Sequence, residues 1–311
     1  MFRLKLVPAK TNVPFIGMRN ITFALSAALS LASIVLYFTV GLNYGIDFRG
    51  GTMIEIGTEA ATDVARVRTI ISGLGLGDVQ AQTFGGDNAA LIRLEQSADG
   101  EQQQKAVADV KAALDKDYGA PVSYRRIEVV GPKVSGDLVN AGVLAVVLAV
   151  VAMLIYVWFR FEWQFGVGSV IALVHDVAMT IGIFSLLQLE FNLAIIAAIL
   201  TIVGYSMNDT VVVYDRVREN LRKYKKMPLE ELLNLAINET LSRTTMTSFT
   251  TLLALTVMFI FGGEVIRGFT FAMIWGIFIG TYSSIFVAAP FLMLVGVKRD
   301  WSGINAAGAK N

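Results

Sequence analysis

Two residues in an apolar run open the question of chemistry. Within GYSMNDTVVVYDRVREN (204–220), Asn208 and Asp209 interrupt a segment that otherwise reads as membrane, and a charged helix edge follows. A carboxylate at the bilayer centre costs about 3 kcal/mol, and less toward the interface, so an ionisable residue there invites a functional reading. Asp209 lies six residues before Asp215, where the interface begins, so it is inside lipid but short of the midplane. The plainer alternative is an interfacial or capping Asp reached by water.

A partner is available. Arg243 stands four residues past Glu239 at the entry to the next apolar run, and spans running in opposite directions place it near the depth of Asp209. Around it, LSRTTMTSFTT supplies Thr244, Thr245, Thr247, Ser248, Thr250 and Thr251. Hydroxyls this dense let helices approach, bond across them or hold water; they are equally ordinary helix-packing residues. A carboxylate keeps its charge beside an arginine and takes up a proton when the two separate in lipid, so such a pair is a switch. His175-Asp176 is a second buried polar site, about fourteen residues past Glu162 and near mid-membrane. Adjacent helix residues point about 100° apart, so no triad geometry follows, and a structural role weighs as much as a relay role.

The remaining chemistry is bounded by absences. The 311 residues contain no cysteine and one histidine, which removes disulfides, thiolate sites and multi-histidine metal centres. There is no HExxH, Walker loop or GxSxG, so an ATP-driven or hydrolytic mechanism has no residues to stand on, and no cofactor is expected. With 55% hydrophobic residues, 16% charged and a mean hydropathy of +0.60, the chain reads as a polytopic α-helical membrane protein.

Six apolar runs of spanning length must position these residues: 20–40, 138–159, 165–187, 191–214, 245–262 and 269–295. The first is too long for a signal-peptide core and lacks a convincing cleavage site, so it reads as a retained anchor. The long loop after span four holds Arg216, Arg218, Arg222, Lys223, Lys225, Lys226 and Arg243. Arg3, Lys5, Lys10 and Arg19 precede span one, and Lys298, Arg299 and Lys310 close the chain. The positive-inside rule then puts the N-terminus (1–19), this basic stretch and the tail (296–311) in the cytoplasm. In the basic stretch, Leu229, Leu232, Leu233, Ala236 and Ile237 make 228–240 an amphipathic helix with a Pro start. Beside Lys225-Lys226 it is expected to lie in the membrane surface, the alternative being packing on another cytoplasmic element.

Residues 42–137, after transmembrane segment 20–41, carry ten Lys and Arg against fourteen Asp and Glu, a net of −4. Alternation at 52–56, 79–84, 89–94 and 122–130 predicts strands, and helical spacing at 62–74 and 101–118 predicts two helices. The order β-α-β-β-α-β is a ferredoxin-like α+β domain, expected on the extracytoplasmic side. GIDFRGG (Gly45, Asp47, Arg49, Gly50 and Gly51) and GPKVSGDL (Gly131 and Pro132) border it with hinge-suited residues, or with simple turns and a Ser135 or Asp137 cap.

With these residues quoted, the chain resembles the SecF family of the resistance-nodulation-division superfamily, membrane subunits of the SecD–SecF complex of bacterial protein export. The resemblance rests on GIDFRGG, VVGPKVSGDL, WFRFEWQF with HDV, GYSMNDTVVVYDRVREN and LSRTTMTSFTTLLAL ahead of FGG, in the family's order from Asp47 to Gly263. It implies use of the proton-motive force in the inner membrane and a separate six-span SecD as partner. It also implies action on unfolded preproteins at the SecYEG channel, with YajC as a further partner. It places Asp209 and Arg243 at required proton-pathway positions, with Asn208, Asp176 and Thr247 as weaker members. Two other readings stay open: half of a small-molecule or lipid exporter, which usually carries larger outer domains, and a passive translocon scaffold.

Overall fold

The computed structural model describes residue 8, residues 11–95 and residues 100–297. Arg3, Lys5, Lys10, Lys298, Arg299 and Lys310 therefore lie outside the described residues.

Among the described residues, six helical stretches are long and apolar enough to cross a membrane. They are α1 (Arg19–Thr39), α5 (Pro132–Arg160), α6 (Trp163–Leu187), α7 (Leu193–Lys223), α8 (Leu229–Phe261) and the pair α9 (Glu264–Ser283) and α10 (Ala289–Val295). Helices α6, α7 and α9 form the bundle interior, whereas α1, α5 and α8 turn long apolar faces outward. Glycines set the closest approaches. A Cβ on Gly182 of α6 would lie 2.9 Å from the Ser33 backbone of α1, and one on Gly280 of α9 would lie 2.9 Å from Ser206 Cβ of α7. Small residues at such contacts replace the hydrophobic drive that lipid cannot supply.

Between α1 and α5 sits the α+β domain. Strands β2 (Gly51–Thr58), β3 (Val79–Thr83), β4 (Ala89–Leu94) and β5 (Val122–Val130) form an antiparallel sheet in the order β3-β4-β2-β5. Helices α3 (Val64–Ser72) and α4 (Gly100–Asp117) cover one face, where Ile54, Ile56 and Ile92 pack against Val67, Ile71, Val110 and Leu114. Asp63 starts α3 by accepting the Arg66 N–H at 2.9 Å. This is the ferredoxin-like arrangement that the alternation and helical spacing predict. The other face buries Met53 and Leu91 with Ile46. Ile46 belongs to the short helix α2 (Ile46–Arg49), which packs beside α5.

Three expectations need correction. The 228–240 helix is not a separate surface element, because α8 runs unbroken from Leu229 to Phe261. Leu232, Leu233, Ala236 and Ile237 are buried with Val217 and Leu221 of α7 and with Phe15 and Ile16 of a 3₁₀ turn, Phe15–Met18. The N-terminal segment completes that packing. Asn234 Oδ1 accepts the Ile16 N–H at 2.9 Å, and the Asn238 amide pairs with both backbone groups of Val13 at 2.9 and 3.0 Å. The amphipathic stripe is thus consumed inside the protein. Second, α7 extends to Lys223, so most of the basic stretch is helix and only Tyr224 to Pro228 connect. Third, neither Ser135 nor Asp137 caps span two: Gly131 is the N-cap of α5 and both lie within the helix.

The last span is also interrupted. Between α9 and α10 lies a π turn, Ser284–Ala288. Pro290 follows it; proline has no N–H for the carbonyl four residues back and its ring crowds that carbonyl, which explains the widened turn.

Gly182→Val tests the α1–α6 approach. Overpacking there should cost about 1–3 kcal/mol and lower the apparent melting temperature of the detergent-purified protein; an unchanged melting temperature would contradict the packing described.

Candidate functional site

Helix α7 carries the site. It starts at Asn192, whose side chain accepts the Ile195 N–H at 3.3 Å, and it packs on α6, α8 and α9 along its length. Asp209 faces inward and is 1% exposed. Its Oδ2 has no hydrogen-bond partner among the described residues. The Asn208 amide and the Thr281 hydroxyl of α9 lie close enough to act on the carboxyl, and Arg243 acts on it through space from α8. Arg243 itself is exposed and makes no ion pair with Asp209 among the described residues. The two residues stand on neighbouring helices, as the depth argument requires, but the guanidinium is not docked on the carboxyl.

The hydroxyls around Arg243 divide into two sets. Thr247 is exposed and bonds the Arg243 and Thr244 carbonyls at 3.2 and 2.9 Å, while Thr250 and Thr251 bond back to carbonyls of their own helix. In lipid this back-bonding spares the hydroxyls an unsatisfied state. Ser248 instead reaches across to Thr281 Oγ1 at 2.8 Å. Thr281 therefore faces both the carboxyl of α7 and the hydroxyl of α8. Asn208, next to Asp209, is exposed on the outer side of α7.

Asp176 sits in a different environment. Its Oδ2 accepts Ser206 Oγ of α7 at 2.5 Å and Ser283 Oγ of α9 at 2.8 Å, and its Oδ1 is 2.9 Å from His175 Nδ1. Three helices meet on this one carboxyl, which is 1% exposed. The His175 ring stacks on Tyr282, whose hydroxyl pairs with Ser26 Oγ of α1 at 3.0 Å. One turn further along α7, Thr210 and Ser284 hydroxyls pair at 2.9 Å, and Tyr214 Oη donates to the Ala288 carbonyl at 3.0 Å. Sequence reasoning missed Ser206, Thr281, Ser283 and Ser284. The signal was GTYSS at 280–284, a cluster of small and hydroxyl residues inside an apolar span.

The border motifs grip the other end of α7. Asp47 Oδ2 accepts the Leu193 N–H at 2.9 Å, at the helix start where backbone N–H groups lack helical partners. Gly50 and Gly51 hold φ of 71° and 114°, values that L side chains adopt at a cost, so the double glycine is a conformational requirement. Arg49 is exposed, with its guanidinium 6.0 Å from the Tyr44 ring centre. Burial is the main cause that pushes the Tyr44 hydroxyl up to about 12, so it stays neutral. Gly131 has extended backbone angles and open space around its Cα, so nothing local demands glycine there. Among the described residues no group of three acidic or histidine side chains is arranged to hold a metal ion.

Comparison with known proteins supplies the context for this geometry. Residues 110–298 match the family model "Protein export membrane protein SecD/SecF, C-terminal", and residues 38–62 match "SecD/SecF GG Motif". The chain is 49% identical to the protein translocase subunit SecF of Rhodobacter capsulatus, covering 96% of this chain and 93% of that one. It is 44% identical to its counterpart in Rickettsia felis, covering 96% and 97%. Among solved structures it is similar to SecDF of Thermus thermophilus, described as a translocon-associated membrane protein, at 36% identity and a TM-score of 0.84. The match covers 94% of this chain but only 40% of that one. A second SecDF structure, in the super-membrane-facing form, superposes with a TM-score of 0.69.

The two aspartates should separate experimentally. Asp176→Ala leaves two serine hydroxyls and an imidazole without their acceptor, at about 1–3 kcal/mol per buried orphan, and should sharply lower the apparent melting temperature in detergent. Asp209→Asn keeps a side-chain oxygen for Asn208 and Thr281 to meet and should leave it nearly unchanged. Equal losses in both variants would contradict this division.

Proposed function

The chain belongs to the SecD/SecF family of protein-export membrane proteins, and from that premise we propose that it is a proton-motive-force-driven auxiliary subunit of Sec preprotein translocation. The observation that carries the proposal is Asp209: a carboxyl buried in a membrane helix, one oxygen without a donor among the described residues, with an arginine on the next helix. A carboxylate oxygen left bare in a low-dielectric interior is costly unless it binds a proton or its surroundings rearrange. In this reading Asp209 binds and releases the proton, Arg243 favours release when it approaches, and Thr281 and Ser248 carry the hydroxyl contact between their helices. Asn208 and Thr247 line the open side by which water reaches the pair. Asp176 holds α6, α7 and α9 in register.

The chain supplies one six-span half, and the polar face with Arg243, Thr247 and Asn208 needs cover in lipid. A second six-span chain, SecD, is the partner we infer. SecYEG, YajC and an unfolded preprotein complete the proposed assembly in the inner membrane. The α+β domain lies outside in this reading, and the charged ends of α7 and α8 lie in the cytoplasm, following the positive-inside rule. The borders at Gly45 to Gly51 and at Gly131-Pro132 let the domain move.

Asp209→Asn should abolish proton-dependent precursor export while membrane insertion and co-purification with the partner persist; normal export would sink the proton mechanism and favour a scaffold. Orientation has its own test, because the sequence lacks cysteine. Lys225→Cys should react with a membrane-impermeant maleimide only after the cytoplasmic face is opened, and Gln102→Cys should react in intact spheroplasts. The reverse pattern would overturn the topology.

A further inference from the structure

A second charged cluster lies away from Asp209, where the α+β domain meets the start of α7. Arg93 of β4 reaches from the domain to the α6–α7 connection. Its Nη2 is 2.5 Å from Glu190 Oε2, and its Nη1 donates to Asn43 Oδ1 at 3.2 Å. The two side chains of the ion pair are only 13% and 23% exposed, unlike the open surface pairs that contribute little. Arg93 rides on an interior strand, paired on one side by β2 and on the other by β3, so its base is rigid.

Glu190 is equally fixed. With Phe191 it forms β6 (Glu190–Phe191), a parallel two-residue ladder against β1 (Asn43–Tyr44). The Gly45 N–H donates to the Phe191 carbonyl at 2.8 Å, and the Asn43 amide donates to the Gln188 carbonyl at 3.0 Å. A Cβ at position 45 would lie 2.8 Å from Glu190 Oε1, so glycine is what permits the approach. Leu193 then begins α7 under the Asp47 carboxylate. Only five residues, 188 to 192, join α6 to α7. That leaves no slack between the grip on Glu190 and the first turn of the helix that carries Asp209, about 24 Å further along at 1.5 Å per residue.

We propose that Arg93 and Glu190 are positioning residues that couple the α+β domain to α7, so that displacement of the domain and the state of Asp209 change together. This rests on the proton-driven reading above. An ion pair between an interior strand and a tautly connected helix start transmits a push or a pull in a way that a hinge-bordered domain without it cannot. The pair closes in one arrangement and opens in the other.

Because the chain has no cysteine, Gln82→Cys with Ala194→Cys, which face one cleft between the domain and the first turn of α7 and leave the ion pair intact, creates the sole thiol pair. In membranes holding the full chain and its partner, a bifunctional methanethiosulfonate that bridges the two should abolish most precursor export, with recovery on reduction. Undiminished export by the bridged protein would overturn the coupling. Adding Asp209→Asn to the cysteine pair should change the bridging yield by about fivefold or more, the size of an ordinary coupling between sites. An unchanged yield overturns it even where Asp209→Asn has itself stopped export, which distinguishes failure of the coupling from failure of the proton mechanism. Charge exchange guards against misfolding of single variants: Arg93→Glu with Glu190→Arg should regain export that either single change loses. An exchanged pair that assembles with the partner but exports no better than the singles counts against the proposal.

Discussion

Three donors converge on the Asp176 carboxyl, and the membrane bundle is arranged around that convergence. In lipid, helices gain nothing by burying apolar side chains from one another, so hydrogen bonds and close small-residue contacts decide how they pack. Ser206, Ser283 and His175 meet the same carboxyl from α7, α9 and α6. Gly280 lets α9 approach the backbone turn that bears Ser206. The π turn continues the set by aligning Ser284 with Thr210 and the Ala288 carbonyl with Tyr214. Remove the acceptor, and three helices lose the group that sets their register.

Against this saturated centre, Asp209 is conspicuous for what it lacks. Both carboxyls are 1% exposed and both project from interior helices. One has both oxygens engaged, and the other has an oxygen without a donor among the described residues. The same residue type in the same bundle thus takes a structural part in one place and keeps an open oxygen in the other. The difference is made by serines one turn away, not by depth in the membrane.

Much of this could be read from the residues alone, and the reasons for the exceptions are physical. The α+β domain was legible because its strands and helices alternate polar and apolar residues with clear periods. The spans were legible from hydropathy. Asp209 and Arg243 announce themselves because charge in lipid is rare. Thr281, Ser283 and Ser284 do not, because hydroxyls are cheap in membrane helices and carry no mark of the partner they will find. The 228–240 helix was misplaced because its amphipathic stripe suits a membrane surface and a protein groove equally; the groove is supplied by Asn234 and Asn238 binding a segment more than two hundred residues away. The Arg93–Glu190 pair has no local signature at all, since it joins a strand in one domain to a loop in another.

The continuity of α7 and α8 has a mechanical consequence. At 1.5 Å per residue, helices of 31 and 33 residues are about 46 and 50 Å long, against a hydrocarbon core of about 30 Å. The pair therefore overshoots the membrane by about 16 to 20 Å on the side away from the α+β domain and stands there as a stiff, cationic post. The five-residue turn at its tip, Tyr224 to Pro228, is the only part without helical support. Pivoting α7 about its first turn by about 5° would sweep that tip sideways by about 4 Å, as follows from its length. Small movements at one surface of the membrane are geared up at the other.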